Sequence, residues 1–157
     1  MQYDVTVIGS GPGGYVAAIR CAQLGFKTAI VEKYNVLGGT CLNVGCIPSK
    51  ALLDSSHHLH EAEHNFATHG ITISKPKVDF KQMIQRKREV VGQTTEGIDY
   101  LMKKNKIDVL KGFGSFVDKN TIKITPEKGD ATEITTDKVI IATGSKPASL
   151  PFIKIDK

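Results

Sequence analysis

The sequence predicts an α/β protein, a parallel sheet with flanking helices plus a small antiparallel β-meander. Three observations carry that expectation. A short apolar run, Val5 to Ile8, ends in Gly9-Ser10-Gly11-Pro12-Gly13-Gly14. A helix-like stretch and a second apolar run follow and end at Glu32, a strand–turn–helix–strand unit of about thirty residues. From Ile107 onward the apolar period changes from helical to strand-like, with turn residues between short runs.

Tyr15 to Leu24 has helical composition, and Gly25 supplies a stop. Lys27 to Val31 reads as the second strand. Ser49 to Phe66 reads as a helix, with Leu52, Leu59 and Phe66 on one face and Ala62 beside them. Asp79 is a candidate N-cap for a longer helix reaching about Lys104, with Phe80, Ile84, Val91, Ile98 and Leu101 as its apolar stripe. Gly92 and Gly97 weaken it. Asp108 to Leu110 is a candidate parallel strand. Gly114–Val117, Thr121–Thr125 and Glu133–Thr136 predict the meander, and Val139–Ala142 a further buried strand before Thr143-Gly144-Ser145. Residues 1–147 are expected to form one domain and 148–157, between Pro147 and Pro151 and beyond, to begin a linker.

Hydrophobic content of 40% and charge of 24% are ordinary for a globular chain of 157 residues. No apolar run approaches the roughly 18 residues that span a bilayer, so no membrane segment is expected. The first strand follows Met1 almost at once, which leaves no room for a signal peptide and predicts a cytoplasmic protein. An organellar sequence lacking its presequence reads the same. The net charge of +5 is spread along the chain without an RNA-binding signature, so no nucleic-acid partner is expected.

Gly9, Gly11 and Gly14 fit the dinucleotide fingerprint GxGxxG. The first glycine allows the tight turn, the second lets a pyrophosphate approach the backbone, and the third lets helix pack on strand. The following helix N-terminus offers free N–H groups and a positive dipole end. Glu32, eighteen residues past Gly14, stands where an acid grips the ribose hydroxyls, which disfavours a 2′-phosphate there. Strand, turn, helix, strand and acid in order predict a Rossmann-like FAD- or NAD-binding domain.

Cys41 and Cys46 are the second chemical signal, and their place just after the fingerprint lets both reach one cofactor. In a straight helix residues five apart have Cα atoms roughly 8.6 Å apart, whereas a disulfide wants about 4.4–6.8 Å. Pairing therefore needs a bend, for which Gly45 and Pro48 are the candidates. A bridge of that kind suits redox chemistry. A zinc site, short of ligands, and a pair of inert thiols are the alternatives. Cys21, among alanines and Ile19, reads as a small core residue. His57, His58, His60, His64 and His69 read as a solvated face, with metal binding the lesser alternative. No metal site is expected.

With these residues in view, the chain resembles the dihydrolipoamide dehydrogenases, the E3 members of class I of the pyridine nucleotide–disulfide oxidoreductases. The resemblance runs from Tyr3 to about Ile155, and its core is Gly38-Gly39-Thr40-Cys41-Leu42-Asn43-Val44-Gly45-Cys46-Ile47-Pro48-Ser49-Lys50-Ala51-Leu52-Leu53. Glutathione and mercuric reductases share the cysteines but usually carry valine where this chain has Leu42 and Ile47. The resemblance implies FAD on Gly9, Gly11, Gly14, Glu32, Lys33, Gly39, Thr40 and Cys41, with Lys50 near the flavin and Gly114 near the adenine. Thr143, Gly144 and Ser145 match a second FAD-contacting turn. Cys41 would be the interchange thiol and Cys46 the one against the flavin.

The same resemblance implies NAD as a further cofactor, lipoyl domains of 2-oxo-acid dehydrogenase complexes and of glycine cleavage as partners, and a homodimer. Chains of that family are much longer, with an NAD domain and a dimerisation domain bearing a His–Glu base. No second GxGxxG occurs here, and none of the five histidines stands in a His-Pro-Thr context. The expectation is that these residues alone do not turn over dihydrolipoamide. Another FAD disulfide reductase and a stand-alone nucleotide-binding module are the competing readings.

Overall fold

The computed structural model describes residues 1–146, 148 and 150–153. Its strands are β1 (Gln2–Ile8), β2 (Thr28–Glu32), β3 (Asp108–Lys111), β4 (Phe113–Phe116), β5 (Thr121–Thr125) and β6 (Thr132–Ile141). They form one sheet in the order β3-β2-β1-β6-β5-β4. The β3, β2, β1 and β6 segments run parallel, while β4, β5 and β6 form an antiparallel meander. The helices are α1 (Pro12–Gln23), α2 (Gly39–Asn43), α3 (Cys46–His64) and α4 (Phe80–Lys104), with a 3-10 turn at Phe66–His69. Pro147, the expected end of the domain, and residues 149 and 154–157 of the expected linker lie outside the described residues.

The two faces of the parallel sheet are covered differently. Val5, Val7 and Ile30 meet Ala18 of α1, Ile98 and Met102 of α4, and Leu37 and Leu42 of the segment between β2 and α3. On the other face Ile8, Ala29 and Val31 meet Ile122, Ile124 and Ile134 of the meander. All five residues of β2 are therefore buried, as expected for a parallel strand covered on both sides. Gly114 on β4 permits the close approach: a Cβ there would stand 3.2 Å from Val31 Cγ1 and 3.4 Å from Ile8 Cγ2.

Several expectations are corrected. The cysteine segment is helical from Gly39 to Asn43. The next helix begins at Cys46 rather than Ser49 and ends at His64. Pro48 does not bend it, because a first-turn proline lacks only an N–H that has no partner there. The break lies at Val44 and Gly45 alone. Glu133–Thr136 and Val139–Ala142, read as two strands, are one ten-residue strand, β6. Residues Thr132–Thr135 pair with β5, and Thr135–Ile141 pair with β1. Asp137 and Lys138 stay extended because the β1 ladder continues through them. Phe80, expected in the core stripe of α4, is 72% exposed. It is the first residue after the N-cap, before the helix reaches the core that Thr95, Ile98 and Met102 enter.

Candidate functional site: the strand ends at β1, β2 and α2

Strand β1 has β2 on one side and β6 on the other, so the chain order reverses at its C-terminal end. Open α/β sheets leave a crevice there. Gly9 turns the chain with φ +102°, and a Cβ on it would strike the Ala142 carbonyl. Gly14 lies against the Gly9 carbonyl in the same way. Gly13 meets nothing within 4 Å, and Gly11 has only the Gly39 Cα at that distance. Open space at Gly13, together with an α1 N-terminus that has no side-chain cap, leaves N–H donors facing the crevice.

The cysteine segment docks on this loop. The Gly38 N–H donates to the Ser10 carbonyl at 2.9 Å, and a Cβ on Gly39 would stand 2.6 Å from the Gly11 Cα. Both Gly38 (φ +99°) and Gly39 (φ +59°) are left-handed, a conformation glycine adopts without strain. The Asn43 amide donates to the carbonyls of Leu37 (3.0 Å) and Gly39 (2.9 Å), closing the short helix α2 on its own start. Gly45 then crosses under α2, where a Cβ would stand 2.9 Å from the Thr40 carbonyl, and α3 begins at Cys46.

Both cysteines are free thiols, Cys41 half-buried and Cys46 exposed. The Cys41 thiol is pushed above its ordinary value, first by its hydrogen bond with the Cys46 side chain and then by desolvation, while the Cys46 N–H and the Lys50 charge pull the other way. Cys46 stands at the N-terminus of a 19-residue helix, five residues on from Cys41. The required bend is present, and the two sulfurs differ in character.

Glu32 closes the other side of the crevice. It is 6% exposed. Its Oε2 accepts from the Ser10 N–H at 2.9 Å and the Ser10 hydroxyl at 2.6 Å, and its Oε1 from the Tyr34 N–H at 2.9 Å. Burial alone would raise its pKa. The hydrogen bonds from the Ser10 hydroxyl and from the Tyr34, Ser10 and Lys33 N–H groups outweigh it and hold the carboxyl below its usual value.

The remaining expected residues fall around this centre unevenly. Thr143 follows β6 and its Cα lies 3.1 Å from where a Gly9 Cβ would be, so the Thr143-Gly144-Ser145 turn borders the fingerprint. Thr40 is exposed at the start of α2, and Lys50 is exposed one turn beyond Cys46. Lys33 turns outward, its Nζ 4.6 Å from the Tyr34 ring centroid. Gly114 packs under Val31 and Ile8. The histidines of α3 are exposed, with His60 and His64 stacked at 4.4 Å between centroids. Among the described residues no group of three or more His, Cys, Asp or Glu can hold a metal. No helix among them is long and apolar enough to cross a membrane.

Sequence reasoning missed Ser10, Gly38 and Asn43. Ser10 sits inside the glycine motif and Asn43 between the cysteines, so position alone was the available signal. Two shallow, open hollows lie elsewhere among the described residues, about 420 Å³ beside β3 and about 270 Å³ between α3 and α4. Neither is lined by the glycine loop or the cysteines, so the candidate site is the open crevice.

Comparison with known proteins shows the family. The family model described as pyridine nucleotide-disulphide oxidoreductase matches residues 3–156. The chain is 53% identical to "Dihydrolipoyl dehydrogenase, mitochondrial" of Pisum sativum over 99% of this chain and 31% of that one. It is also 53% identical to "Leghemoglobin reductase" of Vigna unguiculata, over 99% of this chain and 30% of the other. The mitochondrial dihydrolipoyl dehydrogenase of Mesocricetus auratus is 51% identical, with 98% and 32% covered. The chain thus spans about a third of the length of these relatives. A solved structure, the Cu(II) complex of the HOCl-induced flavoprotein disulfide reductase RclA from Escherichia coli, superposes with a TM-score of 0.76 at 30% identity. It covers 96% of this chain and 30% of its own, and it supports the Rossmann-like fold. The chain belongs to the pyridine nucleotide–disulphide oxidoreductases, FAD-dependent flavoproteins that also use NAD.

Proposed function

We propose that this chain is the FAD-holding, disulfide-bearing portion of a dihydrolipoyl dehydrogenase. In that reading the whole protein oxidises protein-bound dihydrolipoamide to lipoamide and reduces NAD. The observation that carries it is the docking of Gly38 and Gly39 on Ser10 and Gly11, which starts the two-cysteine segment from the cofactor loop. The crevice fits the cofactor: Gly11, Gly13 and the α1 N-terminus leave room and donors for a pyrophosphate, and Glu32 supplies the acid. Gly39, Thr40, Lys50, Gly114 and the Thr143–Ser145 turn are the further cofactor contacts of this reading.

The thiol chemistry balances on this chain's own sulfurs. In the oxidised form a substrate thiolate attacks Cys41 of the Cys41–Cys46 bond, forming a mixed disulfide and releasing Cys46 as a thiolate. The second substrate thiol then attacks its own sulfur partner and releases Cys41, which takes up a proton. The substrate leaves as a disulfide, and its two electrons remain on the cysteine pair. The raised pKa of Cys41, set first by its hydrogen bond with the Cys46 side chain, suits a Cys41 that takes up the proton. FAD, when bound, would be held by the Gly9–Gly14 loop and Glu32 and would supply a two-electron acceptor for the cysteine pair.

Lipoyl domains of 2-oxo-acid dehydrogenase complexes and of glycine cleavage are the partners of this reading, and a homodimer its assembly. The mitochondrial relatives favour the mitochondrial matrix, with bacterial cytoplasm the alternative. The experiment is a visible spectrum of the chain incubated with FAD and freed of excess, before and after one equivalent of dithiol. Retained flavin, with a long-wavelength thiolate–flavin band that is lost in Cys46→Ser and kept in Cys41→Ser, is the expected result. Retained flavin without any such band would overturn the cysteine roles, and a colourless chain the cofactor role.

A further inference from the structure

Ser10 spends every polar group it has inside the site. It is fully buried. Its N–H and hydroxyl both donate to Glu32 Oε2, at 2.9 and 2.6 Å. Its carbonyl accepts the Gly38 N–H at 2.9 Å. The Ser10 hydroxyl and the Ser10 and Tyr34 N–H groups between them engage both oxygens of the carboxylate. The backbone donors are fixed by the turn, so the hydroxyl is the contact that a single side-chain change can remove. A buried carboxylate that loses a donor bears the desolvation cost directly.

We infer that Ser10 is a positioning residue for nucleotide binding: its hydroxyl and N–H hold the Glu32 carboxylate in one orientation towards the ribose, and its carbonyl ties that carboxylate to the segment carrying Cys41. The inference rests on Glu32 being the ribose-binding acid of the proposed function. The other charged or titratable groups at Glu32 point elsewhere. Lys111, its register partner on β3, reaches the carbonyls of Tyr34 and Asn35, and the Lys33 ammonium lies over the Tyr34 ring. Neither supplies the Ser10 contact in its absence.

The test is Ser10→Ala in the same chain, with three probes: FAD, ADP and inorganic pyrophosphate. Binding is measured by calorimetry, and the Glu32 carboxyl is titrated by carbon NMR without ligand. The expected result is about tenfold weaker FAD and ADP, pyrophosphate changed less than about twofold, and a Glu32 titration moved to higher pH. Ser10→Cys, similar in volume and a weaker donor, carries the same test if Ser10→Ala loses its unfolding transition. Unchanged FAD and ADP affinity overturns the inference, as does an unmoved Glu32 titration. An equal loss for pyrophosphate overturns it too, since that marks collapse of the loop. A wild-type chain that takes neither FAD nor ADP, while the Glu32 titration still moves, overturns the nucleotide reading itself and leaves only the hydrogen bond.

Discussion

Gly39 shows how tightly the site is assembled at the level of single atoms. Its missing side chain lets two backbones approach until a Cβ would lie 2.6 Å from the Gly11 Cα, and its φ of +59° is already left-handed. Gly39→Ala is therefore expected to push α2 off the fingerprint loop and weaken FAD binding at least tenfold, read by flavin retention on gel filtration. Tyr3 makes a different kind of contact. Its hydroxyl donates to Asp108 at 3.0 Å and joins β1 to β3. Burial, then the Asp108 hydrogen bond and charge, push its pKa up to about 12. Below about pH 10, the unfolded value, the tyrosine is protonated in both states and its contribution is complete. As pH rises towards the folded value the unfolded chain binds fewer protons, so stability falls. Urea midpoints measured from pH 9 upward should fall less steeply in Tyr3→Phe than in the wild-type chain. An identical slope would assign the alkaline loss to other groups.

Among the elements, two helix ends use the same device with different residues. Helix α1 ends with the Gly25 N–H on Ala22 and the Phe26 N–H on Cys21, with Gly25 at φ +91°. Helix α4 ends with the Lys106 N–H on Lys103 and the Ile107 N–H on Met102, but here the left-handed residue is a lysine at φ 56°. Both are Schellman ends. Met102 and Ile107, both buried in the helix-side cluster, hold the second one in place despite its residue type. Lys106→Gly should relieve the strain and stabilise the chain by about 1 kcal/mol, seen as a rise in the thermal midpoint. The glycine stop was legible because glycine signals its own backbone. The lysine stop was placed near Lys104 from periodicity, and its mechanism depends on core contacts that periodicity does not carry. Asp79 was equally legible, and its carboxylate accepts from the Gln82 N–H at 3.0 Å, since capping is local in sequence. Arg86 was not: it reaches the Ala51 carbonyl and Asp54 at 2.9 and 2.7 Å, a link between α3 and α4 that only packing creates.

Across the whole molecule, strand β6 joins two architectures. Its first half belongs to the meander and its second half to the parallel sheet. The meander thereby folds against Ile8 and Val31 and covers the face that α1 and α4 leave open. Local signals divided β6 in two because Asp137 and Lys138 resemble turn residues. The continuous ladder with β1 decides against a turn. The glycine fingerprint, the acid ending β2, the bend between the cysteines and most element types were determined by the sequence itself. Each depends on residues close together in the chain and on what their side chains allow the local backbone to do. Tertiary structure alone decided that Ser10 clasps Glu32, that Gly38 and Gly39 dock on the fingerprint, and that Phe80 stays in solvent. Those outcomes turn on contacts between segments far apart in the chain, where the sheet order, rather than any residue's own preference, sets which groups meet.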